Sequence, residues 1–475
     1  MTLFFRLEIS TWLRDRRQMT LIVITLLGLI GVTVWATAGD LARRDAEHVA
    51  TREARVQWES KGPANPHSMA HFGDFAFRPG GALARLDRGV QARLGKVLFL
   101  EGHRQGTPLH SDSDKAGALA RFGRFDAAFV LQIVIPLLLV FLGSTGLAAD
   151  REAGRLKLSL VQGAPASAIL SGRLFALWGL GVACTVAVGL ASFLTSAFLD
   201  GRANLALGRL LALTAAYALF FAVVSAAVIA VSVWVRRAGS ALVALLAIWV
   251  MATAVLPRGT SSTAASLFPL PSQDAFQAEL KAARATGPDG HNPEDVALAK
   301  LERETLEKHQ VDTVEALPFN FDGLRMQLDE EFGNQVWDEH YGELRQQILR
   351  QQAVATLAAV ANPFQAIEAI SMALAGTDVA HDFAFQEQAE RHRREMIEKL
   401  NLEHAYGGSK TGDWKWKASA EFLAGVGAFE YEAPSVADAI RSRWVEIVSL
   451  LLWLTLIGAA VFRGAARVED GSLPC

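Results

Sequence analysis

The chain has two cysteines, and they cannot bridge. Cys184 falls inside an apolar run and Cys475 is the last residue. No disulfide framework therefore supports its polar regions. Net charge is only −3 at neutral pH, so there is no basic field of the kind nucleic acid needs, and no acidic tail. A phosphate-binding loop is missing as well. Gly407-Gly408-Ser409-Lys410-Thr411-Gly412 has the wrong glycine-to-lysine spacing and no strand before it, so it reads as a plain loop. The chain is not expected to hydrolyse nucleotide by itself or to bind a cofactor. Ionisable residues are scarce in the longest apolar runs. Ion-coupled transporters usually place one at mid-membrane, so this scarcity argues against secondary transport.

What the sequence does have is hydrophobic length. Hydrophobic residues make up 51% of 475, with mean hydropathy +0.23, above soluble averages. The 20% charged content keeps much of the chain in water. Six runs approach the ~20 residues that a bilayer core demands: 19–38, 127–149, 174–199, 210–235, 238–257 and 444–462. The last has Glu446 just inside it. Two polar blocks, 39–126 and 258–443, interrupt the series. The expected fold class is an all-α integral membrane protein: six transmembrane helices with two extracytoplasmic insertions, the second mainly helical and the first mixed. Residues 1–18 space their apolar positions as a surface amphipathic helix would. That favours a retained segment over a signal peptide, although Ala36-Thr37-Ala38 resembles a cleavage site.

Basic residues set the sidedness. Arg14, Arg16 and Arg17 precede the first run. Arg151, Arg155, Lys157 and Arg173 lie in the 150–173 loop. Arg236-Arg237 joins the fourth run to the fifth, and Arg463 and Arg467 fall in the 463–475 tail. All are cytoplasmic if both termini are. Arg202 and Arg209 are the exceptions. The expected location is multi-pass in a bacterial inner membrane.

In the first block, Lys96–Leu100 is a strand candidate. In the second, the periodicity predicts a long helix over 321–361, ended by Asn362-Pro363. A short apolar helix follows to Ala375, then a stop at Gly376. Thr377 or Asp378 caps a further helix to about Asn401. Pro293 with Glu294 and Asp295 marks another helix start. Trp414, Trp416, Phe422, Phe429 and Tyr431 precede the last run, which suits membrane-interface anchoring or a substrate portal. The two blocks are expected to pack together, since neither is large enough for a generous core alone.

All eleven histidines lie in the two blocks. His67 and His71 have the i,i+4 spacing that can ligate a metal on a helix. No glutamate follows His67, so the zinc-protease pattern is missing, and Asn65-Pro66 favours a turn. These histidines are read as structural, with no metal assigned. The loop after the second run is the most specific segment. Asp150-Arg151-Glu152, Gly154-Arg155-Leu156, Lys157-Leu158 and Pro165-Ala166-Ser167 lead to Ser171-Gly172-Arg173. Its charges have no evident partner inside a membrane. It reads either as a positive inner loop or as a docking surface.

That loop resembles the coupling loop of type-2 (ABC-2-like) ABC transporter permeases, with Arg155 where Thr or Ser is usual. The enlarged blocks are similar to those of permeases linked to multicopper-enzyme maturation. Asn65-Pro66-His67-Ser68-Met69-Ala70-His71 resembles the first outer segment, and Asn362-Pro363 with Gly376-Thr377-Asp378 the second. The resemblance implies a transport subunit, not an enzyme. Its partners would be cytoplasmic ABC ATPase subunits, which bind ATP and Mg. Others would be a second copy or a related permease, the lipid bilayer, and a periplasmic substrate or accessory protein. Asp150, Arg151, Glu152, Gly154, Arg155, Leu156, Lys157 and Leu158 would receive the ATPase. Two other readings stay open: a binding or sensing protein, and a membrane-bound metal-dependent enzyme.

Overall fold

The structure is a computed structural model describing residues 1–111, 125–195, 197–198, 203–288 and 295–470. Leu199, Arg202, the helix start at Pro293-Glu294 and Cys475 lie outside these residues. Among the described residues, six helices are long and apolar enough to cross a membrane: Arg16–Glu59, Ala127–Glu152, Ala166–Thr195, Leu207–Trp234, Ala238–Leu267 and Trp444–Glu469. They define an α-helical membrane protein. Spans two and four are central, with 72% and 67% of their apolar windows buried; spans five and six, at 17% each, are peripheral.

Several helices outrun the hydrophobic segments that predict them. Span one continues unbroken to Glu59, and Asp15 starts it by accepting from the Arg17 and Gln18 N–H groups. Span five runs past Pro257 to Leu267. A proline inside a helix removes one N–H and crowds the carbonyl four residues back. The chain relieves this twice with a π turn, at Val130–Val134 before Pro136 and at Met251–Val255 before Pro257. Each π turn offers a carbonyl to a side chain. Trp249 Nε1 donates to Ile133 O at 3.2 Å, and Asn362 Nδ2 to Ala252 O at 2.8 Å.

The N-terminal helix Thr2–Arg14 docks on span three as well as facing outward. Leu3, Leu7 and Leu13 stay exposed, while Trp12 and Glu8 are buried. Gly172 permits the contact: a Cβ there would stand 2.6 Å from Phe4 Cβ. Burial raises the Glu8 pKa despite Arg173 at 3.4 Å.

Described parts of the 39–126 and 258–443 blocks pack together as one lobe. β1 (Asp74–Phe77) pairs antiparallel with β2 (Val97–Leu100), Asp74 opposite Leu100. The Lys96–Leu100 strand candidate is β2. The hairpin, the far end of span one and the helix Val379–Tyr406 share a core of Trp58, Met69, Leu98, Leu100, Phe385 and Leu400. Trp58 Nε1 donates to Leu423 O at 2.9 Å. The second block is mainly helical, with its long helix at Phe321–Ala361 and Asp295 capping Val296–His309. The aromatic segment before span six is turned inward. Phe422, Phe429 and Tyr431 pack on the lobe core, Phe429 and Tyr431 edge-on to Phe385 at 5.8 Å each. This segment gives up three of its five expected interface anchors to that core.

One helix of the second block does not stay in the lobe. Pro363–Ala375 belongs to the same core as the spans, with Ala366, Ile367, Ala373 and Ala375 fully buried. Asn362 starts it by accepting from Phe364 N. Its one buried serine joins a polar chain between spans. Gln132 Nε2 donates to Tyr217 Oη at 2.8 Å, which lies 3.1 Å from Ser371 Oγ, and Ser371 donates to Asp87 at 2.6 Å.

Candidate functional site

Three places hold the residues singled out above. The first is a cavity of 440 Å³ where the lobe meets span four, lined in part by Arg44, Arg78, Arg209, Asp378, Asp382 and Tyr431. Gly376, at φ 76°, closes the buried helix Pro363–Ala375 in the left-handed turn that glycine allows. Thr377 N donates back to Met372 O at 3.0 Å. Arg209 donates to Ala373 O and Leu374 O, holding the last carbonyls of that helix. Gly81 of the first block comes so close that a Cβ would sit 2.5 Å from Ala375 O.

Asp378 caps the next helix through His381 N and pairs with Arg443 at 2.7 Å and His381 Nδ1 at 2.6 Å. Burial raises its pKa, but His381 and Arg443 outweigh burial and hold it at about 2. Arg78 pairs with Asp382. Burial pushes both toward neutrality, raising Asp382 and lowering Arg78. Burial also pushes the Tyr431 phenol up to about 12. The cavity is thus a partly apolar vestibule whose carboxylates are held by cations, an arrangement suited to binding.

A depressed carboxylate pKa stabilises the fold above the unfolded-state pKa near 3.8, and that stability is lost as pH falls through the folded value. Asp378→Asn is therefore expected to cost about 2 kcal/mol at pH 7. The gap to wild type should close between about pH 4 and pH 2. Thermal unfolding across that range checks it; a gap that is the same at both ends contradicts the assignment.

The second place is a histidine cluster. The Asn65-Pro66 pair, expected to make a turn, starts a helix instead. Asn65 accepts from Ser68 N and Pro66 takes the first helical position, Pro66–Phe72. Asn65 Nδ2 also donates to Trp414 O and Trp416 O, both at 3.2 Å. His67 and His71 therefore share a helix face, with Nε2 atoms 3.1 Å apart. His103 joins them from the turn after β2, at φ 65°. Ligand atoms of the three lie within 4.8 Å of one another. Trp414 packs edge-on to His67 at 5.5 Å. His103 Nδ1 is 2.9 Å from Asp329 and 3.1 Å from Glu330, both buried on the long helix. Burial would lower the His103 pKa, but these carboxylates outweigh it and raise it. Sequence spacing could not find His103, which lies far along the chain; the hairpin brings it in.

The third place is the loop after span two. Glu152 ends that helix, Gly154 turns at φ 74°, and Arg155–Val161 forms a short helix. Its charges do have internal partners, contrary to expectation. Arg151 is buried and donates to Ser232 O, Val233 O and Val235 O at the end of span four. Asp150 pairs with Arg155 at 2.6 Å and with Arg173. Glu152 accepts from Ala238 N at 3.0 Å. Leu156 is buried, while Lys157, Leu158 and Val161 are exposed.

A family described only as a domain of unknown function, DUF3526, matches residues 275–432. The match takes in the long helix with Asp329 and Glu330, Gly376-Thr377-Asp378 and Trp414, but no span residue. No curated protein and no solved structure matches the chain.

Proposed function

We propose that this chain is the permease subunit of an ABC transporter, moving a substrate outward across a bacterial inner membrane. ATP would be hydrolysed on a separate subunit. The observation that carries this reading is the helix Arg155–Val161. It presents Leu158 at 57% exposure and Val161 at 76%, beside exposed Lys157, on a loop braced from within by Arg151, Asp150 and Glu152. Leu158 and Val161 lie three residues apart on one short helix, so they offer a single apolar patch on a braced support. A partner could cover that patch, because apolar groups ringed by charge are what an interface buries. The basic residues flanking the spans support cytoplasmic termini and an outer lobe. Peripheral spans five and six leave apolar faces to lipid or to a second permease. The cavity at Arg78, Arg209 and Asp378 would then lie where a substrate leaves or is gathered.

The test is the double variant Leu158→Glu with Val161→Glu, purified with its candidate ATPase. Neither side chain is part of the core, so the permease should fold and insert. Recovery of the ATPase and stimulated hydrolysis should fall at least about tenfold, as for loss of an interface contact worth ~1.4 kcal/mol or more. Unchanged recovery and hydrolysis would leave the loop as a connection and remove the main support for this reading.

A further inference from the structure

We propose that His67, His71 and His103 form a binding site for one divalent transition-metal ion of the zinc type. Three imidazoles are the donors, and one position stays open on the exposed His71 side. The cluster is built from both blocks: His67 and His71 from the Pro66–Phe72 helix, His103 from the turn after β2, and the supporting carboxylates from the long helix. Zinc–nitrogen bonds of about 2.0–2.1 Å put tetrahedral ligand atoms about 3.3 Å apart. His67 and His71 Nε2 stand 3.1 Å apart, and all three ligand atoms fall within 4.8 Å. The widest of these spacings exceeds the tetrahedral one by no more than about 1.5 Å.

An N–H···N hydrogen bond accounts for His67 with His71, but not for the third ring or for its setting. Metal-bound histidines typically donate their other ring N–H to a carboxylate, which fixes the tautomer and raises the basicity of the ligating nitrogen. His103 has that arrangement: with its proton on Nδ1, toward Asp329 and Glu330, Nε2 carries the lone pair a metal takes. The two carboxylates are themselves fixed from behind, Glu330 by Arg393 at 3.1 Å and Asp329 by Arg284, so they serve as orienting groups. A three-nitrogen set without thiolate suits zinc, copper, nickel or iron(II). It does not suit calcium or magnesium, which want oxygen ligands.

The experiment uses the full chain in detergent with any affinity tag removed, stripped with chelator, and needs neither ATP nor an ATPase. It therefore tests the site independently of the transport reading. Zn²⁺ is titrated against a chromophoric chelator, and Co²⁺ is added separately to read coordination from its visible spectrum. The expected result is one ion per chain and a low-symmetry Co²⁺ spectrum. His71→Gln, at an exposed position, should lose both while keeping the wild-type circular dichroism. Asp329→Asn should weaken Zn²⁺ by about 10–100-fold. No stoichiometric binding by the wild type would overturn the proposal. So would full retention in His71→Gln, which would mean an adventitious ion only, held by other histidines.

Discussion

Replacing Arg393 with methionine will cost the lobe about 3–5 kcal/mol. The guanidinium is fully buried. It donates to Glu330 at 3.1 Å, Glu390 at 2.9 Å, Asn334 at 2.6 Å and Glu101 O at 3.2 Å, and lies 4.9 Å from the Trp337 ring centroid. Methionine fills part of the space but leaves Glu330, itself buried, without its arginine and with only His103 beside it at 3.1 Å. An unpaired charge in the interior is the costly outcome, more than the loss of the pair itself. The unfolding midpoint of the lobe should fall by about 6 °C or more. Adding Glu330→Gln to Arg393→Met should restore part of the loss, because the second change removes the stranded charge. A single variant that melts within about 1 °C of wild type would show that this network contributes little.

The second large effect is expected at Arg151→Glu. The last carbonyls of a helix have no partner within it and carry partial negative charge. Arg151 satisfies two of them, Ser232 O and Val233 O, and also holds Val235 O just past the end of span four. A glutamate would face the same oxygens with a negative charge, at a cost above about 3 kcal/mol. Yield of folded protein by size exclusion should collapse, whereas Lys157→Glu on the same loop should leave it unchanged. Equal yields would return Arg151 to the role of an exposed docking charge.

Arg151 also marks a limit of sequence reading. Nothing in Asp150-Arg151-Glu152 distinguishes a solvated charge from one capping a remote helix, because the cap belongs to residues some eighty positions on. The long helix was legible for the opposite reason. Its signals are local: apolar period along 321–361 and the Asn362-Pro363 stop. Gly376 and Asp378 were legible in the same way, as a left-handed stop and a cap. Asn65-Pro66 carries the same helix-start chemistry as Asn362-Pro363 yet reads as a turn, since the helix after it is only seven residues long. The insertion of Pro363–Ala375 among the spans was hidden. Thirteen residues cannot cross a bilayer, and a short apolar helix looks the same whether it packs in a lobe or a bundle. His103 was hidden because strand pairing, not spacing, puts it beside His67.

The unbroken helix Arg16–Glu59 has a mechanical meaning. At 1.5 Å per residue its 44 residues reach about 66 Å, roughly twice the hydrocarbon thickness. The part beyond Ala38 is a stiff shaft of about 30 Å that ends at Trp58 in the lobe core. A tilt of about 10° at the membrane would swing that tip by roughly 5 Å. Arg55 grips Val426 O at 2.7 Å and Asp40 holds Arg85 at 3.3 Å. The lobe cannot swing freely from the shaft; it must turn with it. Any rocking of that helix would be carried into the lobe that walls the cavity at Arg44 and Arg78, with no break in the shaft itself.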